Sequence, residues 1–343
     1  MTHIRIGYSY ATHIQMGIRG LAGYLKWKTP QLRREMIWDK HYGETWGIDC
    51  SCILYRARAV GLSPLTVLAK LFIHMKRHAI TPIVIFDGRP PSAKGNVIEQ
   101  RRVQRTTAQC KMKVLASEME SVSLSRIQRA FMEKRMSGLR SQTPQISTKE
   151  KDEVKRFLYS SGILFLTAIG EADDVLAYLS REQTIQAVVS TDMDMFPRGV
   201  KTLILPETRD ATILGEIHTS DILNALNLTY SQFVDACVMM GSDYTDTSWK
   251  TIQPDLAIEI ARLNQSWNTL GVNKDIISQM NRGAKALRGD EHTWDTIFSD
   301  SQQIKWMSGS PQPEPDTLKA LCKENGWPSE WSDILAAPSS LIL

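Results

Sequence analysis

Seven acidic residues stand at or just beyond short apolar segments. Asp49 follows Trp-Gly-Ile, Asp87 follows Ile-Val-Ile-Phe, Asp192 and Asp194 follow Ala-Val-Val-Ser-Thr, and Asp243 follows Met-Met-Gly-Ser. Glu171 and Asp173 follow Leu-Phe-Leu-Thr-Ala-Ile-Gly. Taken singly, each has a structural reading. Asp87-Gly88 is a turn dipeptide, Asp192-x-Asp194 a helix cap or surface loop, and Glu171 a cap for the helix after it. As a set they point to chemistry. Sites in open α/β sheets form in the crevice beyond the carboxyl ends of the strands. Carboxylates released along that edge crowd together and cannot all stay ionised without compensation. Divalent cations supply it, and Mg²⁺ prefers hard oxygen ligands. Two such ions, about 3.5–4 Å apart, activate a water and steady the leaving oxygen of a phosphodiester.

Those acids need strands to carry them. Apolar runs of strand length occur at 45–50, 82–86, 162–166, 186–190 and 200–205. Helical spacing occupies 16–26, 50–60, 63–78, 149–160 and 172–180, and later 219–226, 231–240 and 255–263. Strands alternating with helices imply an α/β fold with a mostly parallel central sheet flanked by helices. Residues 97–136 are long, polar and helix-permissive, with little apolar face of their own, and 141–147 read as a loop. Beyond about residue 248 no strand signal is convincing. Trp249, Trp267, Trp294, Trp306, Trp327 and Trp331 read as packing residues of a helical C-terminal part.

Composition narrows the class. With 343 residues, 42% hydrophobic and 23% charged, the chain is an ordinary globular one of one large or two smaller domains. Five cysteines without a Cys-x-x-Cys pair argue against a disulfide scaffold or zinc ribbon, and imply reduced thiols inside a cell. Residues 1–15 hold no apolar stretch of signal-peptide length. Apolar runs such as 163–169 fall far below the ~18 residues of a membrane span. No membrane association is expected. Residues 88–150 carry thirteen Lys and Arg against five acids, a net +8 in a chain of net +4. A basic segment on a mildly acidic body suits a polyanion partner, though a solvated helical surface would look the same.

The motifs together resemble the flap endonuclease/XPG family of structure-specific 5′ nucleases. Met-Gly-Ile-Arg-Gly-Leu at 16–21 is similar to the family's opening, and Gly-Ile-Asp-Cys-Ser at 47–51 to its first catalytic strand. Ile-Phe-Asp-Gly-Arg-Pro-Pro at 85–91, Gly-Glu-Ala-Asp at 170–173, Thr-Asp-Met-Asp at 191–194 and Met-Gly-Ser-Asp-Tyr at 240–244 follow in family order. The resemblance implies a PIN-like 5′-nuclease fold with a helical arch, and two Mg²⁺ ions, with Mn²⁺ able to substitute. Their ligands would be Asp49, Asp87, Glu171, Asp173, Asp192, Asp194 and Asp243. It also implies that Lys94 and Arg101 contact the scissile phosphate and that a base stacks on Tyr55. Gly17, Arg19, Arg89, Arg102 and Arg105 are further expected nucleic-acid contacts. Read without it, Lys94 and Arg101 are solvated helix charges and Tyr55 a core residue.

The implied organisation is an extension at 1–15, an N-terminal nuclease region at 16–140 with its basic arch at about 92–140, an internal nuclease region at 149–260, and a helical part at 261–343. The implied activity is cleavage of branched or flapped DNA in replication, repair or recombination, by a monomer in the nucleus or cytoplasm. A ribonuclease on the same site, or an inactive nucleic-acid-binding scaffold, are the alternatives. Three departures stand out. Fifteen residues precede the Met-Gly-Ile motif. The segment 245–255 lacks the two glycines of the family's duplex-gripping turn and has Asp255 where a basic residue is expected. No sliding-clamp peptide of the Gln-x-x-Leu-x-x-Phe-Phe type is found. These departures resemble divergent viral members of the family.

Overall fold

The computed structural model describes residues 17–90, 95–121, 125–140, 143–207, 211–243, 252–263, 274–289 and 292–337. In chain order the first elements are α1 (Leu21–Lys28), β1 (Arg34–Glu35), β2 (Thr45–Asp49), α2 (Cys50–Ala59), α3 (Pro64–Arg77) and β3 (Thr81–Phe86). Next come α4 (Gly95–Ser121), α5 (Arg126–Arg140), α6 (Thr148–Ser160), β4 (Leu164–Thr167), α7 (Ala172–Arg181), β5 (Ala187–Val189), β6 (Thr202–Pro206) and β7 (Leu214–His218). The remainder is helical: α8 (Thr219–Leu226), α9 (Tyr230–Met240), α10 (Pro254–Arg262), α11 (Lys274–Arg288), α12 (Trp294–Ile297), α13 (Asp300–Ser308), α14 (Pro315–Asn325) and α15 (Glu330–Ala336).

The seven strands form one sheet in the order β1-β7-β6-β5-β2-β3-β4. Strands β2 to β6 pair in parallel, while β7 runs antiparallel to β6 and β1 antiparallel to β7. The sheet is therefore mostly parallel, as its apolar runs imply, with an antiparallel edge that the sequence pattern hides. Leu-Gly-Glu-Ile-His at 214–218 reads poorly as a strand because Gly215 supplies no side chain and Glu216 and His218 are polar. Its backbone pairing with β6 decides the matter.

Alternation along the parallel strands sorts their side chains into two cores. On β3, Ile83 and Ile85 face one layer, and Val84 and Phe86 the other. Strand β6 repeats this with Leu203 and Leu205 against Ile204. Both faces are covered, so the strands read as near-continuous apolar runs. The first layer packs α1, α7, α8, α9, α10 and α11 on the sheet; the second packs α2, α3, α6, α14 and α15. Each fully buried aliphatic side chain in them contributes about 1.5–3 kcal/mol. Helix starts follow local chemistry: Ser63 caps α3 just before Pro64, and capping boxes open α6 (Ser147/Glu150) and α9 (Thr229/Gln232).

The C-terminal tryptophans do pack. Trp294 and Trp306 lie against the first core, and Trp327 is buried in the second with its Nε1–H donating to Thr66 Oγ1 at 3.1 Å. Trp249 and Trp267 lie outside the described residues. One expectation needs correction. The 97–136 segment has an apolar face: its Ala108, Leu115 and Met136, with Leu139 just beyond it, are buried between α4 and α5, with Met112, Ala116, Met119 and Met132 packed around them. Helix α4 supplies five of these residues and α5 three, so neither share alone stands out from the polar residues around it.

Candidate metal centre

The carboxyl ends of four neighbouring strands deliver the acids. Asp49 is the last residue of β2, paired in register with Ile85 of β3. Asp87 directly follows β3, Glu171 and Asp173 follow β4 at the start of α7, and Asp192 and Asp194 follow β5. Strand order reverses at β2, with β3 and β4 on one side and β5 on the other. That reversal opens a crevice at the carboxyl edge. Asp243 follows α9, two residues beyond Gly241. The carbonyl of Gly241, which ends that helix, accepts the Arg19 amide at 3.0 Å.

Hydrogen bonds join several acids in series. Asp49, only 7% exposed, accepts the Cys52 amide on Oδ1 at 3.0 Å and the Ser190 hydroxyl on Oδ2 at 2.9 Å. Ser190 Oγ in turn accepts the Asp192 amide at 3.2 Å, and Asp192 Oδ1 accepts the Asp194 amide at 2.9 Å. Asp194, 2% exposed, accepts the Ile18 amide. Cys52 adds a second tie across the crevice, its Sγ accepting the Thr191 amide at 3.2 Å. The close approach needs Gly17, whose φ is +82°: a Cβ there would overlap the carboxylates of Asp192 and Asp194.

The electrostatics follow from this crowding. The Asp49 carboxyl is pushed up to about 7, by burial first and by the charges of Asp87 and Asp192 as well, against the lowering effect of the Cys52 and Ser190 hydrogen bonds. Burial likewise pushes the Cys52 thiol up to about 12, so it is no thiolate ligand. What remains is a set of hard oxygen donors whose mutual repulsion a divalent cation would relieve. The residues present fit such an ion.

The loops after β3 and β4 are knitted together. Gly88 and Arg89 donate their amides to the carbonyls of Gly170 and Ile169, at 2.7 and 3.0 Å. A Cβ on Gly88 would overlap the carbonyl oxygens of Ala168 and Ile169. Asp87 Oδ1 accepts the Ala172 amide at 3.0 Å and so satisfies the first turn of α7. On the far side, the Ile169 amide donates to the Ile297 carbonyl at 3.3 Å, and the Thr167 amide to Gln302 Oε1 at 3.1 Å. The C-terminal helices thus back the loop that carries Glu171.

Arg198 braces the same region. It is 1% exposed, pairs with Asp174, and sits 3.7 Å from Glu171 Oε2. His292 Nε2 lies 3.8 Å from the other Asp174 oxygen, and Arg181 Nη1 donates to the Arg198 carbonyl at 2.5 Å. Sequence reading missed Arg198, Asp174 and Ser190. The available signals were weak: a lone Arg in the apolar run Met-Phe-Pro-Arg-Gly-Val, a third acid at the start of α7, and a serine just ahead of the paired acids.

Placement of the other expected residues is mixed. Among the described residues no three acids, histidines or cysteines converge on a point at coordinating distance. Tyr55 on α2 is 37% exposed, which sets aside its reading as core. Arg89 is exposed beside Asp87, and Arg19 and Arg105 are half-buried. Arg102 is exposed and 3.7 Å from Glu99. Asp255, at the first turn of α10, is exposed and pairs with Lys28 at 3.3 Å. Lys94, the Arg101 side chain, residues 1–16 and residues 244–251 lie outside the described residues.

Two family models match the chain: the XPG N-terminal domain at residues 16–108 and the XPG I-region at residues 162–243. Flap endonuclease 1 of Homo sapiens is 27% identical over 339 residues, covering 92% of this chain and 84% of its own length. Among solved structures, the catalytic core of Rad2 in complex with DNA substrate is similar in fold, with a TM-score of 0.62 and 18% identity over 94% of this chain and all of that one. The Holliday junction-resolving enzyme GEN1 in complex with product DNA and a Mg²⁺ ion has a TM-score of 0.51 and 14% identity, covering 90% of this chain and 69% of that one.

Proposed function

Since the chain belongs to the flap endonuclease/XPG family, we propose that the acid-lined crevice is the active centre of a structure-specific 5′ nuclease that hydrolyses phosphodiester bonds in branched or flapped DNA. The observation that carries this reading is Asp49: a buried carboxyl at a strand end, raised to about 7 with Asp87 and Asp192 among the causes. Such a site is unfavourable when empty and is relieved by cations.

Divalent metal ions serve the reaction, and we propose two, Mg²⁺ with Mn²⁺ able to replace it. They would be held by Asp49, Asp87, Glu171, Asp173, Asp192, Asp194 and Asp243, and would supply an activated water and charge neutralisation at the phosphate. The chain's own residues do the rest. The Ser190 and Cys52 hydrogen bonds orient Asp49, and the knitted 87–89 and 168–170 loops fix the spacing between Asp87 and Glu171. Lys94 and Arg101, at the start of the basic arch, would steady charge developing on the scissile phosphate. Tyr55, half-exposed on α2, would stack an unpaired base near it. Gly17, Arg19, Arg89, Arg102 and Arg105 would line the path of the strand. The partner is nucleic acid, DNA with a 5′ flap or free 5′ end. No helix among the described residues is long and apolar enough to cross a membrane.

The test is cleavage of labelled 5′-flap DNA and of a matched RNA, with Mg²⁺ and then with EDTA. Mg²⁺-dependent cutting near the flap junction supports the reading. Cutting confined to RNA replaces it with a ribonuclease, and binding without cutting of either replaces it with a scaffold.

A further inference from the structure

Helices α7, α9 and α11 line an open cavity of about 420 Å³, to which none of the seven acids contributes. Its size falls in the range of small-molecule sites, roughly 300–1,000 Å³. Arg181, the last residue of α7, is its central cation. The guanidinium is held by backbone alone: Nη1 donates to the Arg198 carbonyl at 2.5 Å and Nη2 to the Gly289 carbonyl at 3.4 Å. Neither carbonyl neutralises the charge, and no carboxylate among the described residues pairs with it.

Two glycines mark what converges there. A Cβ on Gly289 would lie 3.2 Å from both Nη atoms of Arg181 and 3.0 Å from Nδ1 of His292. A Cβ on Gly199 would lie 2.9 Å from Arg181 Cγ and 3.4 Å from the Tyr230 hydroxyl. The fork, an imidazole and a tyrosine therefore meet at one wall. The neighbouring charges have partners of their own. Arg288 pairs with Asp235 of α9 at 2.8 Å, and His292 Nε2 stands 3.8 Å from Asp174. Glu182 is the one acid among the described lining residues; Asp290 and Glu291 lie outside the described residues.

A half-buried guanidinium supported only by carbonyls favours an anion that takes its remaining N–H groups. Its planar fork matches phosphate and carboxylate alike. The rings choose between them. Tyr178 and Tyr230 line the same cavity, and the Tyr230 hydroxyl donates to the Pro197 carbonyl at 2.7 Å, which fixes that ring. An aromatic face beside a phosphate fork suits a ligand that carries both a base and a phosphate. A bare phosphate would leave most of the cavity to water.

We propose that the cavity between α7, α9 and α11 binds a nucleoside monophosphate, its phosphate on Arg181 and its base against Tyr230. The site does not depend on the nuclease reading above, since it uses none of the acids and needs no metal ion.

The test is isothermal titration of the full chain with adenosine 5′-monophosphate, inorganic phosphate and adenosine, in EDTA at physiological salt. EDTA keeps phosphate from reaching the acids through a metal ion, and the salt screens loose attraction to the basic surface of α4 and α5. Wild type is compared with Arg181→Met, Tyr230→Leu and Ser231→Glu, each checked by thermal melting. Ser231 is exposed at the rim, in the first turn of α9, where an acid suits the helix N-terminus. Its replacement puts a negative charge in the mouth of the cavity and leaves the Arg181 contacts alone.

Adenosine 5′-monophosphate should bind wild type more tightly than either phosphate or adenosine does. Arg181→Met and Ser231→Glu should each weaken it on the order of tenfold. Tyr230→Leu should weaken the nucleotide and leave phosphate binding unchanged. If Arg181→Met fails to fold, Ser231→Glu decides alone. Absence of nucleotide binding to wild type at millimolar concentration overturns the proposal. So does nucleotide binding that Ser231→Glu leaves unchanged, which places the ligand elsewhere. Phosphate binding as tight as that of the nucleotide also overturns it, since the rings then select nothing. Loss of duplex binding in Ser231→Glu, without any mononucleotide binding in wild type, assigns Arg181 to a nucleic-acid backbone instead.

Discussion

Ser190 stands between two of the acids, giving its hydroxyl proton to Asp49 Oδ2 at 2.9 Å while its oxygen takes the Asp192 amide at 3.2 Å. One small side chain thereby ties the end of β2 to the loop after β5. Ser190→Ala should leave a buried carboxylate oxygen without its donor, at a cost of about 1–3 kcal/mol in stability. It should also raise the Mg²⁺ concentration needed for half-maximal cleavage. Denaturant unfolding and a Mg²⁺ titration of activity check both; an unchanged Mg²⁺ requirement would show that Ser190 orients nothing.

Asp49 sets a pH dependence in the metal-free protein. Its folded value of about 7 lies above its ordinary 3.8, so the folded state holds this proton more tightly than the unfolded one. The stability linked to it is fully present below about 3.8 and is lost as pH rises through about 7. Melting in EDTA from pH 5 to pH 8 should show a decline that Asp49→Asn flattens and Mg²⁺ opposes. A flat wild-type profile over that window would refute it.

Asp87→Ala and Asp192→Ala should abolish cleavage while the fold persists. Their stabilities should differ. Both relieve repulsion in the crevice, but Asp87 also accepts the Ala172 amide at the start of α7, and losing such a cap costs about 0.5–2 kcal/mol. Asp87→Asn, which keeps an acceptor there, should restore much of that stability and none of the activity. Turnover within tenfold of wild type for either alanine variant would remove these residues from the metal set.

Gly88→Ala should be costly although it adds one methyl group. The new Cβ would meet the carbonyls of Ala168 and Ile169, which are backbone atoms and cannot swing aside. Separation of the two loops should lower both melting temperature and activity. A variant with wild-type melting and rate would show that the loops tolerate opening.

Arg198→Met should destabilise by about 1–3 kcal/mol, because it leaves the half-buried Asp174 and Glu171 without their buried cation. The double variant Arg198→Met/Asp174→Leu removes that pair, leaves only Glu171 without the cation, and should recover part of that loss. If the double variant is as unstable as the single one, packing of the Arg198 stem and not charge pairing holds this corner.

Much of the centre is legible in the sequence, for a physical reason. A strand that is buried on both faces is an apolar run, and the first acid after it marks where the chain leaves the sheet. Asp49, Asp87 and Asp192 are visible in that way. The residues that orient them are not. Ser190 meets Asp49 across 141 positions of chain, and Arg198 meets Asp174 across 24, with nothing in either neighbourhood to announce a partner. The parallel sheet was likewise readable and its antiparallel edge was not, since β7 owes its place to backbone pairing more than to its side chains. The arch seam escaped because it exists only once α4 and α5 are side by side.

The bonds from Ile297 and Gln302 to the loop before Glu171 carry a consequence for the order in which the protein is made. All seven acids have been synthesised by residue 243, yet the segment that braces the loop before Glu171 comes more than fifty residues later. A growing chain on the ribosome therefore holds the complete set of acids before it holds their brace. The expected outcome is a nuclease that acquires its cutting power late, after α12 and α13 dock, which spares nearby nucleic acid from half-finished chains. Stalled nascent chains ending before and after residue 302, allowed for the length of the exit tunnel, would reveal this as a step in Mg²⁺-dependent flap cleavage; equal cleavage from both would show that the site matures without its brace.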